Sequence, residues 1–410
     1  MTLPTIVIIG AGQAGLQVAV SLRELRFEGR VVLIGDEPHA PYQRPPLSKG
    51  YLLGEVSTAQ VTLRPSAFFS TQHIELVSGK RVVAIDRARR MVGLDDDSVV
   101  AYDHLVLATG TRNRPLPVPG AELQNVFFLR TLDEAMALQA RMAEAKNAVV
   151  IGAGFIGLEF AASAAKRGMG VTVLDVADRP MARAISKSMS TVCAREHEKM
   201  GVRLLFSTQV MRLLGEQGRV SGVETVDGRT LPADLVVIGI GVIPNSELAA
   251  TCDLTIEDGI VVDEFLQTSD PHISAIGDVA AHRSDYAHGQ RVRLESVQNA
   301  VDQARCVAAR LHGQPAAYQA LPWFWSNQGS LHLQMTGLRS NDEQEALRGD
   351  PSGTAFSVYL FREGRLTCVE SLNRPGDHML ARKLLTGRVA VTPEQAADTS
   401  FDLKSLLAAK

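Results

Sequence analysis

Ile6-Val-Ile-Ile-Gly-Ala-Gly-Gln-Ala-Gly15 decides the fold. Its apolar, β-branched start reads as a buried strand, and the chain then turns at Gly10-Ala-Gly12 into a helix from about Gln13. The three glycines do different things. Gly10 permits the tight turn, Gly12 lets a pyrophosphate approach the backbone, and Gly15 lets helix and strand pack closely. The helix N-terminus then offers unpaired N–H groups and a positive dipole end to phosphates. Alone, G-x-G-x-x-G is weak. Here the strand before it, an amphipathic helix over 14–26 and a second strand over 31–34 complete a βαβ unit.

The pattern recurs at Ala148-Val-Val-Ile-Gly-Ala-Gly-Phe-Ile-Gly157, with Val171-Thr-Val-Leu-Asp175 as its second strand. Gly152, Gly154 and Gly157 repeat the spacing of Gly10, Gly12 and Gly15, so two nucleotide folds imply two nucleotides. Asp175 ends the second strand, eighteen residues beyond Gly157, where a carboxylate accepts from both adenosine ribose hydroxyls and repels a 2′-phosphate. This half therefore prefers NADH to NADPH. In the first half the corresponding place falls on Gly35, so Asp36 or Glu37 has to serve, shifted by one or two residues.

Bulk properties narrow the partners. The 410 residues allow two or three domains. A net charge of −3 gives no global field for nucleic acid or an anionic membrane. The longest apolar runs, such as 235–242, fall far short of the ~20 residues of a membrane span. No charged segment precedes the first apolar stretch, so no signal peptide is expected and the cytoplasm is the expected location. Cys193, Cys252, Cys306 and Cys368 lie far apart without metal-type spacing, and read as small apolar fillers. No metal site is expected.

Further candidates follow along the chain. Pro41-Tyr-Gln-Arg-Pro-Pro-Leu-Ser-Lys49 is stiffened by proline and offers Arg44 and Lys49 close in sequence to the first phosphate loop. The three aspartates within 93–98 read as a solvated turn. Ala108-Thr109-Gly110 ends a strand and is a candidate cofactor-binding turn, followed by a proline-rich crossover over 114–120. Gly239 and Gly241, after the apolar run from Leu235, would let backbone approach a nicotinamide dinucleotide. Asp278, at a strand's carboxyl end, is a candidate acceptor for a ribityl hydroxyl. A helix from near Leu294-Glu-Ser-Val297 to about Leu311 could aim its N-terminus at a flavin's electron-rich pyrimidine edge. The last ~90 residues, with Trp323 and Trp325, an alternating strand over 356–361 and a helix over 403–408, read as a small α+β domain.

With these residues in view the chain resembles the FAD-dependent NADH:ferredoxin reductases of bacterial oxygenase systems, of the glutathione-reductase structural superfamily. The resemblance spans essentially the whole chain. It is carried by PYQRPPLSK at 41–49, GFIGLEFA at 154–161, GVIPN at 241–245, IGDVA at 276–280, LESVQNA at 294–300, PWFWS at 322–326 and LNRP at 372–375. The segment TPEQAADTSFDLK is similar to the subgroup feeding cytochrome P-450-type monooxygenases. The fold class implied is α/β, with two Rossmann-like nucleotide-binding domains, one inserted in the other, and a small C-terminal α+β domain. The expected boundaries are 1–115 with 248–320 for FAD, 116–247 for NADH and 321–410 for the C-terminal domain.

The resemblance implies that Arg44, Lys49, Arg130, Asp278 and the Val297 region line FAD, and that Gly154, Glu159, Asp175, Arg183 and Gly241 line NADH. Lys49 and Glu159 are expected to pair beside flavin N5 as the catalytic residues. Disulfide reductases of this superfamily carry redox cysteines where this chain has Arg-Pro-Pro-Leu-Ser-Lys, and no cysteine precedes Cys193. Thiol chemistry is thereby excluded, and electrons must leave the flavin directly for a [2Fe-2S] ferredoxin. Such partners are acidic, so a local basic patch is expected, with Arg64, Arg310, Arg339 and Lys404 as candidates, on a monomer or weak dimer. Two other readings share the fold: a reductase serving a ring dioxygenase or rubredoxin, and an apoptosis-inducing-factor-like, NADH-responsive flavoprotein.

Overall fold

The computed structural model describes residues 3–340 and 343–407. The chain divides into two compact units, one built from residues 1–43, 58–112 and 243–322, the other from 44–57, 113–242 and 323–410.

The first unit is organised on a parallel sheet of five strands. Its order is Ile273–Ala275, His104–Leu107, Thr5–Ile9, Arg30–Gly35 and Ile74–Ser78. Ile6, Val7 and Ile8 are buried, as a strand covered on both faces requires. Thr5–Ile9 lies between the strand that follows it in sequence and one that arrives about a hundred residues later, with Ile9 opposite both Ile34 and Leu107. That reversal of strand order opens a crevice at the carboxyl ends, where ligands of such sheets bind. The helix Gln13–Glu24 is shorter than the periodicity suggests, because Arg26 takes a left-handed φ of 61° and Phe27 N–H donates to Leu22 O at 2.9 Å.

The second unit repeats this plan. Its parallel sheet runs Val202–Leu205, Gly170–Leu174, Asn147–Ile151, Leu235–Ile238 and Val126–Phe127. Asn147–Ile151 again lies between its sequence neighbour and a late strand. A hairpin of Val210–Glu216 and Arg219–Thr225 turns at Gln217 and Gly218, both at positive φ, as a tight hairpin needs. In the same unit, the C-terminal segment forms an antiparallel sheet ordered Trp323–Gln328, Leu331–Gly337, Arg365–Leu372, Phe356–Arg362 and Gln344–Arg348. The helices Pro375–Thr386 and Pro393–Ala397 pack on it, burying Tyr359, Phe361, Ala381, Leu384 and Ala396. The terminal helix expected over 403–408 is a 3₁₀ helix, Leu403–Leu407, too short for a stable α-helical nucleus. Ala408 lies outside the described residues.

Candidate active site and nucleotide loops

The two glycine loops are built alike. A Cβ on Gly10, whose φ is +108°, would stand 2.1 Å from Ala108 O, and one on Gly15 would stand 1.9 Å from Gly10 O. Close backbone approach thus excludes side chains at both places. At Gly12 a Cβ would meet no protein atom within 4 Å, so packing does not demand glycine there. What the missing side chain does leave open is the start of the helix Gln13–Glu24, which has no side-chain cap and no acidic residue in its first turn. In the second unit Gly152, φ +108°, and Gly157 meet Gly239 O and Gly152 O at 2.4 and 2.1 Å, while Gly154 meets nothing closer than 3.8 Å. The helix Phe155–Lys166 likewise begins without a side-chain cap or first-turn acid. By contrast Thr131, Ser186 and Ser296 cap their helices. Two uncapped helix ends behind glycine turns suit the pyrophosphates of two dinucleotides.

Around the first loop, Ala108 N–H donates to Ile9 O at 2.8 Å, and Gly110 takes a φ of 63°. Asn245 fastens this turn three times: its Nδ2 donates to Thr109 O at 2.9 Å, its N–H donates to Gly110 O at 2.9 Å, and its O accepts from Thr109 Oγ1 at 2.7 Å. Asp278 lies in the 3₁₀ turn Gly277–Val279, its Oδ2 accepting from Thr111 Oγ1 at 3.5 Å. Gln303 positions that turn by accepting from Gly277 N–H at 2.7 Å. Val297 is the first residue of the helix Val297–Leu311, immediately after its cap Ser296. The acid displaced from position 35 has a steric cause: a Cβ on Gly35 would lie 2.6 Å from Ala11 Cβ. Asp36 is exposed and 3.4 Å from Arg81, and Glu37 accepts from Tyr42 Oη at 2.5 Å.

In the second unit Asp175 closes back onto the glycine loop. Its Oδ2 accepts from Ala153 N–H at 2.6 Å and its Oδ1 from Ala177 N–H at 2.8 Å. Each oxygen keeps a second lone pair. Gly241, φ +101°, borders open space, whereas the Gly239 carbonyl is taken up in close approach to Gly152. Arg183 lies in the turn before the helix Lys187–Lys199. Arg44 Nη1 donates to Arg130 O at 2.6 Å, and Arg130 N–H donates to Glu134 Oε2, the carboxylate of a capping box, at 2.7 Å.

Lys49 and Glu159 meet in this unit. Lys49 Nζ lies 2.5 Å from Glu159 Oε2, on a side chain that is 22% exposed, while Glu159 is buried. The short 3₁₀ helix Pro45–Ser48 delivers Lys49, and its Nζ also donates to Pro45 O at 2.8 Å. Ser48 Oγ donates to Glu159 Oε2 at 2.5 Å and Ser326 Oγ to Glu159 Oε1 at 2.7 Å. The carboxylate therefore accepts from three donors, one of them charged. Neither serine stands out in the sequence as a site residue, although both lie inside motifs that carry the resemblance. Only hydroxyls at those positions would have marked them, and hydroxyls are common on any strand or turn.

Other candidates fall elsewhere. Trp323 and Trp325 face one another at 5.5 Å, with Arg382 over Trp323 at 4.9 Å. Arg310 is not a docking cation. It is half-buried in the first unit, donating to Ser274 Oγ at 2.5 Å and Gln267 Oε1 at 2.9 Å, with burial lowering its pKa. Arg64 and Lys404 are exposed, and Arg339 is half-buried. Cys193, Cys252 and Cys368 are buried, and burial raises the pKa of all four thiols. Among the described residues, no cluster of three His, Cys, Asp or Glu could hold a metal ion.

Two dinucleotide loops, in a chain whose first cysteine is Cys193, mark an oxidoreductase built to hold two nucleotides. The pattern of the family described as pyridine nucleotide-disulphide oxidoreductase matches residues 4–304, and that described as reductase C-terminal matches 323–407. Rhodocoxin reductase of Rhodococcus erythropolis is 52% identical over 404 residues, 98% of this chain and 94% of that one. The crystal structure of the ferredoxin reductase for the CYP199A2 system of Rhodopseudomonas palustris superimposes with a TM-score of 0.96 at 51% identity, covering 98% and 99% of the two chains. The reductase in the covalent putidaredoxin reductase–putidaredoxin complex gives a TM-score of 0.97 at 40% identity, covering 100% and 99%. The chain belongs to the pyridine nucleotide-disulphide oxidoreductase family, in its branch of FAD-dependent ferredoxin reductases.

Proposed function

We propose that the protein takes hydride from NADH onto FAD and passes single electrons to an acidic [2Fe-2S] ferredoxin that feeds a cytochrome P-450-type monooxygenase. The observation that carries this reading is the pair of open glycine loops in a chain that offers no redox thiol. Relatives described as serving the CYP199A2 system and as bound covalently to putidaredoxin support a small protein acceptor. The proposed setting is the cytoplasm, as a monomer or weak dimer. Among the described residues no helix is long and apolar enough to cross a membrane.

Bound FAD supplies a hydride acceptor that can release electrons singly. The chain's own residues do the rest. The open N–H groups behind Gly12 would hold the FAD pyrophosphate and those behind Gly154 that of NADH. Asp36, Arg44, Ala108, Thr109, Gly110, Arg130, Asp278 and Val297 would complete the FAD contacts, and Arg183 and Gly241 those to NADH. Asp175 would hold the adenosine ribose through its remaining lone pairs. Lys49 would donate a hydrogen bond at flavin N5, with Glu159 offsetting its charge once water is excluded.

The test is an anaerobic mix of NADH-reduced protein with oxidised [2Fe-2S] ferredoxin, following the iron–sulfur absorbance. Rapid bleaching of the ferredoxin is expected. A reduced protein that keeps its electrons until oxygen is admitted would remove the ferredoxin assignment.

A further inference from the structure

The acceptor side of Glu159 continues into a buried chain of hydrogen bonds. Ser326 Oγ donates to Glu159 Oε1 at 2.7 Å, Gln328 Nε2 reaches Ser326 Oγ at 3.1 Å, and His197 Nε2 lies 2.8 Å from Gln328 Oε1. Ser326, Gln328 and His197 are all almost completely buried. Two are alternate residues of the strand Trp323–Gln328, which share one face, and the third comes from the helix Lys187–Lys199.

Proton counting fixes the direction of every link. An ionised Glu159 has only lone pairs to offer, so the single Ser326 proton must lie in the short contact to Oε1. The Ser326 oxygen then faces Gln328 as an acceptor, which turns the amide NH₂ toward it and Oε1 away. An amide oxygen cannot donate, so His197 Nε2 must carry the imidazole proton. His197 Nδ1, buried without a partner, is then a bare lone pair, the less costly kind of orphan. Burial also lowers the His197 pKa, which opposes a second proton at Nδ1. Beyond the last donor, Gln328 Nε2 has Met181 Sδ at 3.5 Å, a weak acceptor that imposes no opposite polarity.

We infer that Ser326, Gln328 and His197 are positioning residues, a one-way donor chain that fixes the Glu159 carboxylate in place and thereby orients Lys49. The inference rests on the proposed role of the Lys49–Glu159 pair. Lys49 is the cation against the carboxylate, Ser48 its second hydroxyl donor, and His197 the titratable group at the far end. Lys49 and Ser48 face one oxygen of the carboxylate and Ser326 the other, so its orientation is set from both sides.

Two readouts test the chain in the holoenzyme. In ¹⁵N-histidine-labelled protein at neutral pH, with the signal assigned by loss in His197→Asn, His197 should read as the neutral Nε2–H tautomer. An Nδ1–H tautomer, or an imidazolium, would overturn the polarity. In anaerobic single-turnover reduction by NADH, Ser326→Ala should slow the rate about five- to tenfold with FAD content unchanged, and Ser326→Thr, which keeps the hydroxyl, should restore it. Gln328→Met should slow it by less. Glu159→Gln separates the two levels of argument. If that variant reduces as fast as the parent, the Lys49–Glu159 role itself fails. If it is slow while Ser326→Ala keeps the parent's rate, the pair stands and the donor chain falls.

Discussion

Lys49 and Glu159 are worth most as a pair and least when one is removed. Taking one partner from a buried ion pair leaves an uncompensated charge, which costs roughly 3–5 kcal/mol. Here the loss is softened on one side, because Glu159 would keep Ser48 and Ser326 as donors. Lys49→Ala is therefore expected to fold and bind FAD, yet to slow flavin reduction by NADH about tenfold or more, as loss of a charge-assisted hydrogen bond would. Rapid-mixing spectroscopy beside a FAD titration checks this, and an unchanged reduction rate would refute it. Asp175 carries two duties, since the oxygens proposed for the ribose also hold Ala153 and Ala177. Asp175→Ser should narrow the gap between NADH and NADPH while also loosening the glycine loop, so its KM for NADH should rise by about tenfold. Parent protein that turned over NADPH as fast as NADH would show that Asp175 does not select.

Among the secondary-structure elements, the glycine loops predict opposite outcomes for one substitution. Gly154→Ala meets no backbone atom closer than 3.8 Å and should change unfolding free energy by less than about 1 kcal/mol, while weakening NADH binding. Gly157→Ala drives a methyl to 2.1 Å from Gly152 O and should lower stability far more. Thermal melts of both variants with NADH titrations distinguish packing from ligand access. The helix Lys187–Lys199 supplies a pH effect. Its cap Ser186 donates N–H and Oγ–H to Glu370 at 2.8 and 2.5 Å, and Glu345 accepts from Lys187 N–H and Ser188 N–H. Burial pushes the Glu370 carboxyl up to about 7, against the lowering pull of those Ser186 hydrogen bonds and of Arg339. The folded protein thus binds more protons than the unfolded chain between the ordinary glutamate value and about pH 7. Stability from this group is full at lower pH, is lost as pH rises through that window and levels off above it. Glu370→Gln should flatten that part of a denaturation series run from about pH 5 to 8. Both βαβ units were legible because β-branched strands and glycine spacing are local signals. The burial of Ser326 and Gln328 was not, since a strand's alternation shows which residues share a face but not which helix that face meets.

For the whole molecule, a net charge of −3 sets the terms for meeting the acidic partner proposed above. Attraction has to come from local cations, and rim charges act mainly on encounter. Ferredoxin reduction should slow as salt rises from about 0.05 to 0.5 M, while reduction of a small neutral acceptor stays level. Rates that ignored ionic strength would count against an electrostatic docking face. Arg310 shows why that face was hard to read, because a cation in a sequence carries no mark of the Ser274 and Gln267 oxygens that claim it. The interleaved assembly of each unit from three separate stretches has a further consequence, for synthesis. His104–Leu107 waits for its outer neighbour Ile273–Ala275, which the ribosome makes on the order of ten seconds later at roughly 5–20 residues per second. Until then a row of backbone donors and acceptors stands uncovered, a template for pairing with another nascent chain. The second unit likewise lacks the strand that brings Ser326 to Glu159 until residues 323–328 have been made, long after the helix that carries Glu159. Chains halted anywhere in the middle should therefore accumulate as aggregates, not as working halves.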